Sequence, residues 1–201
     1  IIIYSGVKLR EEAIQDARRE TQQLAAGISA EQQGLVTAAQ QLIIALAQLP
    51  DVRKHNTARV QPVLKDILAL HAQYSNIFMA DHSGLVWATA VPVKPPFIIF
   101  DRRYFRNALA SGQLSSGEFI VSRATGRPSF NLAYPQKNER GATSGTICVG
   151  FIPDSFMPVL ERSKLPPSAS YMLLDHNGVV MSSAIDPAQY VGKQLDPGIF
   201  K

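Results

Sequence analysis

A chain of 201 residues is long enough to bury a hydrophobic core in one or two domains. With 46% hydrophobic and 18% charged residues and a mean hydropathy of essentially zero, it is neither a disordered segment nor a membrane bundle. The formal net charge is +4, but the basic residues (Arg10, Arg18, Arg19, Arg53, Arg59) are scattered and no nucleic-acid motif accompanies them, so no nucleic-acid partner is expected. The single cysteine, Cys148, excludes an intrachain disulfide and a thiolate metal site, and its setting in the apolar run from Gly145 to Phe151 reads as core.

The chain opens on Ile1-Ile2-Ile3-Tyr4. Aliphatics followed by an interfacial Tyr are what the outer end of a transmembrane helix looks like, so residues 1–6 are read as such an end; an ordinary domain edge is the alternative. From Val7 to Leu49 there is no proline, and apolar or small residues recur at Ile14, Ala17, Thr21, Leu24, Ile28, Leu35, Ala38, Leu42, Ala45 and Leu49. That spacing predicts one helix of about 40 residues, roughly 60 Å long, with a seam near 3.5 residues per turn. Its length exceeds what one domain's core needs, so the seam is expected to pack partly on the domain and partly on a second copy, a homodimer through the helix. Pro50-Asp51 ends it, and a second helix is predicted from Arg59 to Tyr74, burying Val60, Val63, Leu64, Ile67, Leu68 and Leu70.

After Tyr74 the period changes to two. Ile77 to Ala80, then Asp81-His82-Ser83-Gly84, then Leu85 to Thr89 reads as strand, tight turn and strand, with Asp capping the turn and Gly at positive φ. The figure returns 94 residues later as Tyr171 to Leu174, Asp175-His176-Asn177-Gly178 and Val179 to Ser183. Too little chain follows to complete a second sheet, so the second unit is expected to be incomplete. Between the repeats, Asp101 to Ala110 predicts a short helix capped by Asp101, with Phe105, Ala108 and Leu109 on its apolar face. Strands are predicted at Gly117–Ser122, Pro128–Tyr134 and Gly145–Ile152, forming an antiparallel meander covered by helices on one side. A short helix from Asp154 to Leu160 then leads to Pro166-Pro167, read as a domain boundary.

The order of these elements, with Asp101, Arg102, Tyr104, Phe105 and Ala108 on the helix, Gly117 and Ser122 on a strand, Thr125-Gly126-x-Pro128 at a turn, Tyr134-Pro135, and both Asp-His-x-Gly turns, resembles the double Cache family. These are PAS-like sensor domains outside the membrane in bacterial histidine kinases, chemoreceptors and cyclic-di-GMP enzymes. The resemblance implies an α+β fold: a long N-terminal helix over 7–49, a membrane-distal ligand-binding unit over 50–165, and the start of a membrane-proximal unit over 166–201. It also implies a small-molecule pocket between the sheet and its covering helices.

Within such a pocket Arg102 offers a planar fork of donors suited to a carboxylate, Tyr104 a hydroxyl on an apolar platform, and the helix N-terminus favourable partial charge. Ser122 and Arg123 close the first strand of the meander. On the next strand either Ser129, Asn131 and Ala133 face inward, or Phe130, Leu132 and Tyr134 do, and the sequence leaves both registers open. Arg102, Tyr104, Ser122, Arg123, Asn131 and Tyr134 are therefore the candidate ligand-binding residues. The family's amino-acid-binding pattern of Tyr, Arg, Trp-Tyr and a late Asp is departed from at Phe97, Tyr104-Phe105 and Asp154, which favours a small organic acid over an amino acid.

No P-loop, HExxH or GxSxG motif is present, and His55, His71, His82 and His176 lack metal-ligand spacing, so neither catalysis, a metal nor a cofactor is expected. The whole reads as the extracytoplasmic sensor part of an inner-membrane receptor, a sensor histidine kinase first. A chemoreceptor, a cyclic-di-GMP enzyme or a ligand-free dimerisation spacer are the alternatives.

Overall fold

The computed structural model describes residues 2–156, 170–196 and 198, with side chains given from Arg10 onward and that of Phe156 excepted. The first element, α1 (Ile2–Gln48), runs unbroken through Gly27 and Gly34. Its stop is local: Leu49 takes an extended conformation (φ −65°, ψ 130°), as a residue before proline must, and Pro50 then occupies the first position of a one-turn helix, α2 (Pro50–Arg53). Helix α3 (Thr57–Leu70) begins two residues earlier and ends four residues before the predicted limits. It buries Val60 and Leu64, whereas Val63 and Leu70 are exposed.

Five strands follow in one antiparallel sheet of order β2-β1-β5-β4-β3, with β1 (Tyr74–Asp81), β2 (Val86–Thr89), β3 (Ser115–Val121), β4 (Pro128–Lys137) and β5 (Thr143–Phe151). Helix α4 (Arg103–Ser111) lies between β2 and β3 in the chain. It ends at Gly112 in the left-handed region (φ 67°). The sheet is covered on both faces, not on one as the sequence suggested. On one face Ala39, Ile43 and Leu46 of α1, Val52, and Val60 and Leu64 of α3 meet Ile77, Met79, Leu132, Ile147, Val149 and Phe151. On the other, Tyr104, Phe105 and Ala108 of α4 and Ile99 meet Phe78, Ala80, Ala133 and Cys148.

Two-sided cover explains why both registers of β4 looked plausible: Leu132 is buried against α1, and Asn131 and Ala133 are buried on the α4 side. The α4 side is lined by small groups, and Cys148 is one of them. Burial pushes its thiol up to about 12, an inert core residue as the sequence implied.

The stripe that α1 buries is Ala39, Ile43, Leu46 and Ala47, one position on from the predicted seam, whose Ala38, Ala45 and Leu49 face outward. N-terminal to Leu35 the helix stands clear of the sheet, with Ile14 43% exposed. After a short 3-10 turn (Pro153–Phe156) comes the repeat of the first hairpin, β6 (Met172–Leu174) paired with β7 (Val180–Ser183), then a single turn, α5 (Pro187–Tyr190). The predicted helix to Leu160 is seen only in that 3-10 turn. Its remainder and the boundary at Pro166-Pro167 lie outside the described residues.

The two hairpins match in atomic detail. Asp81 Oδ1 accepts from the Ser83 and Leu85 amides at 2.9 and 3.0 Å; Asp175 Oδ1 accepts from the Asn177 and Val179 amides at 2.8 and 2.9 Å. Gly84 and Gly178 both lie at positive φ (84° and 76°).

Candidate functional site

The segment between β2 and α4 folds back over the first hairpin. Val86 donates to Phe97 O and Ile99 to Gly84 O, each at 2.9 Å. Gly84 permits this approach, since a Cβ there would lie 2.6 Å from the Phe100 nitrogen. One glycine thus serves both the turn and the loop laid across it. The chain then turns at Arg102, which holds the extended N-cap position (φ −78°, ψ 134°). Asp101, the predicted cap, instead lies one residue earlier and turns to Arg123.

The fold-back leaves a cavity of about 20 Å³ between the sheet and the start of α4. One bank is Phe97, Ile99, Arg102 and Tyr104; the other is Ser122, Arg123 and Ala124 in the turn after β3. The floor is polar. Asn76, Gly150 and Asn131 are aligned neighbours across β1, β5 and β4, so two carboxamides flank a residue with no side chain.

Each carboxamide is held. Asn76 Nδ2 donates to Thr89 Oγ1 (3.1 Å), the Thr89 hydroxyl donates to Val91 O (2.9 Å), and the Val91 amide donates back to Asn76 Oδ1 (3.1 Å). Ser129 donates to Asn131 Oδ1 at 2.8 Å and is joined by Ser75 at 2.9 Å. A network satisfied in this way fixes its members' orientation. Gly150→Ala would set a methyl 2.5 Å from Ser75 Oγ and 2.8 Å from Asn131 Oδ1. It is expected to destabilise the domain by about 1–3 kcal/mol, read as a lower urea midpoint at unchanged slope.

Tyr104 is 2% exposed and lines the cavity together with Asn131. Burial raises its pKa well above the usual phenol value, against the pull of Asn131, so the group enters the cavity as a neutral donor. Its ring lies over Gly117, where a Cβ would meet Cδ1 at 2.9 Å. The Arg102 guanidinium forms no hydrogen bond with the described residues, and the residue lines the cavity beside Tyr104. Arg123 is committed elsewhere: its two terminal nitrogens meet the Asp101 carboxylate at 3.0 and 2.6 Å, and Nη1 also reaches Ile98 O at 3.3 Å. That guanidinium holds the Asp101 carboxyl below the usual carboxylate range.

Five of the six sequence-predicted residues, Arg102, Tyr104, Ser122, Arg123 and Asn131, therefore converge on one cavity. Tyr134 does not; it packs on the opposite face, against the α1 cluster. Asn76 was missed, although the signal that marked Asn131, an amide inside an apolar strand, also stands beside Ile77-Phe78-Met79.

A larger cleft of about 500 Å³ separates α1 (Gln32, Val36) and the strand pair Ser116 and Phe130 from the second hairpin (Leu173, His176, Met181). It is mainly apolar, and its polar groups are largely engaged: Arg103 touches His176, and Asp175 Oδ2 accepts the Phe119 amide at 3.0 Å. Burial opposes ionisation of Asp175, but the Phe119, Val179 and Asn177 amides outweigh it and keep its pKa low. The small cavity carries the convergent polar chemistry; the cleft is where the second hairpin faces α1 and the sheet. Among the described residues no group of His, Cys, Asp or Glu could hold a metal, and no helix is long and apolar enough to cross a membrane.

The family model described as Cache domain matches residues 6–197. Among solved structures, the sensor domain of the Vibrio cholerae histidine kinase DctB superposes with a TM-score of 0.70 at 18% identity, over 92% of this chain and 74% of that one. The ligand-binding domain of the Pseudomonas aeruginosa amino-acid chemoreceptor PctC, in complex with GABA, gives 0.62 at 18% identity over 86% and 75%. That of PctB from the same organism, in complex with L-Arg, gives 0.65 at 18% identity over 88% and 67%. At such identities the likeness establishes the fold alone. No curated protein matches the chain. With a five-stranded antiparallel sheet held against a long N-terminal helix, a hairpin repeated further along, and a family model spanning nearly its whole length, the chain belongs to the Cache domain family, the extracytoplasmic sensor domains of membrane receptors.

Proposed function

We propose that this domain senses a small carboxylate in the cavity beneath α4, as the periplasmic part of an inner-membrane sensor histidine kinase, with residues 50–165 as the ligand-binding unit and 166–201 as the start of a membrane-proximal one. The observation that carries the reading is the convergence of Arg102, neutral Tyr104 and two braced carboxamides, Asn76 and Asn131, on one cavity of the sheet. These supply donors on three sides of a carboxylate, with the positive end of α4 beside them. The departures at Phe97 and Tyr104-Phe105 support an organic acid over an amino acid. The exposed side of α1 supports a homodimer; a kinase is favoured over a chemoreceptor only by the breadth of the resemblance to DctB.

Thermal-shift and calorimetric titration with acetate, lactate, succinate and L-alanine test this. Saturation at a hundredfold excess over Kd stabilises the folded protein by about 2.7 kcal/mol. Arg102→Ala is expected to weaken binding at least about thirtyfold, since truncating one partner of a desolvated charge pair costs 2 kcal/mol or more. A second reading, a ligand-free transmission spacer, is favoured by the cavity's 20 Å³, room for little more than one water. It predicts no stabilisation by any acid and an Arg102→Ala protein indistinguishable from the parent.

A further inference from the structure

A cavity of about 20 Å³ cannot admit even acetate, so a ligand enters only if its banks part. The banks are Phe97–Tyr104 and the turn Ser122–Ala124. Among the described residues, the polar ties between them all run through one side chain: Arg123 to Ile98 O and to both oxygens of Asp101. The second of these ties has a particular form. Asp101 presents two carboxylate oxygens to the two terminal nitrogens of the guanidinium, the fork-to-fork arrangement an acid ligand would make with the same group.

The pair also sits where a solute can reach it. The side chains of Arg123 and Asp101 are 50% and 41% exposed, at the rim and not in the core. Solvent exposure makes such a pair exchangeable: its competition with water and free anions is close, and it holds by geometry more than by strength. Arg102, one residue from Asp101, lines the cavity, and its guanidinium has no hydrogen bond to the described residues.

We propose that Asp101 is a built-in competitor carboxylate: it occupies Arg123 in the empty protein, latches the two banks together, and is displaced from Arg123 by the carboxylate of the incoming ligand. The inference rests on the cavity being the ligand site. It makes Asp101 and Arg123 determinants of affinity through opening, with Arg102 and Tyr104 receiving the ligand within. It also couples occupancy to a movement, because the turn after β3 is left with only the Ile98 O tie when Asp101 lets go.

Asp101→Asn keeps the size of the side chain and removes the competing charge, and far-UV circular dichroism with a thermal melt confirms that it folds. Two measurements then separate the latch from the ligand reading. Without ligand, hydrogen exchange of the amides of residues 122–127 is expected to quicken at least about fivefold in Asp101→Asn and in Arg123→Gln; unchanged exchange in both overturns the latch whatever binds. With ligand, the best acid of the panel acetate, lactate and succinate is expected to bind Asp101→Asn about tenfold more tightly than the parent. That gain disappears when Arg123→Gln is added. Equal or weaker binding by Asp101→Asn, in a parent that does bind, overturns the competition while leaving the site standing. Quickened exchange with no acid bound by either protein overturns the site and the competition together.

Discussion

Gly145→Ala is expected to destabilise the domain by about 3 kcal/mol, at the upper end for overpacking a close-fitting position. Gly145 opens the buried run of β5 and pairs with Asp81 of β1 and Gln136 of β4. A Cβ there would lie 2.0 Å from the carbonyl oxygen of Ala80 and 2.8 Å from the Asp81 Cα. Both contacts are backbone, so no rotamer relieves them, and the strand pair β1–β5 must separate at its end. The strain falls at the start of the hairpin turn that Asp81 caps and that carries the fold-back over Gly84. The loss should therefore appear twice: as a lower urea midpoint, and as weaker ligand binding from a displaced Phe97–Arg102 bank. An unfolding free energy within about 0.5 kcal/mol of the parent would show that the two strands do not approach so closely.

Phe151→Ala is expected to cost about 3–5 kcal/mol, the range for removing a fully buried aromatic ring. Phe151 is 0% exposed, is opposite Phe130 on β4 and Tyr74 on β1, and meets the Tyr74 ring edge-on at 5.1 Å between centroids. It fills the end of the α1-side core where β5 leaves the sheet, and its carbonyl lies 3.2 Å from Ser129 Oγ, the residue that braces Asn131. Phe151→Leu, which keeps much of the volume, should recover more than half of the loss in chemical denaturation. Equal losses in the two variants would mean that ring geometry, not filled space, is what the position supplies.

Much of the fold could be read before any coordinates. The Asp-His-x-Gly turns encode their own geometry, an Asp that satisfies two amides and a Gly that takes positive φ, so the repeat was visible in eight residues. The long helix was equally plain, because nothing between Val7 and Leu49 interrupts it. What the sequence could not rank was which stripe of that helix packs inward. Leu, Ile and Ala stand at both 38/42/45/49 and 39/43/46/47, and only the shape of the sheet chooses the second. The same holds for β4, where polar Asn131 and apolar Leu132 each looked like an inward residue and each is, on opposite faces. Tyr134 was misplaced for that reason.

The site was legible as residue types and not as partners. Arg102 and Tyr104 follow from their place at the head of a helix, but the pairing of Asp101 with Arg123 joins residues 22 apart across a helix and a strand, with no spacing rule to announce it. Asn76 shows the complementary failure. Its amide stands beside an apolar run as that of Asn131 does, but its role shows only in its alignment with Gly150 and Asn131 across three strands.

Helix α1 has a mechanical consequence. Among the described residues, its 47 residues pack on the sheet only along the last third, between Leu35 and Ala47, so the part that extends beyond the sheet is an arm about 50 Å long at 1.5 Å per residue. Arms of that kind multiply angle into distance: a tilt of about 5° at the gripped end sweeps the far end through roughly 4 Å, close to the pitch of one helical turn. Sub-ångström rearrangements among Ala39, Ile43 and Leu46 would therefore be felt at Ile2 as displacements large enough to change which helix face meets a neighbour. The domain's gearing lies in the ratio of its short grip to its long arm.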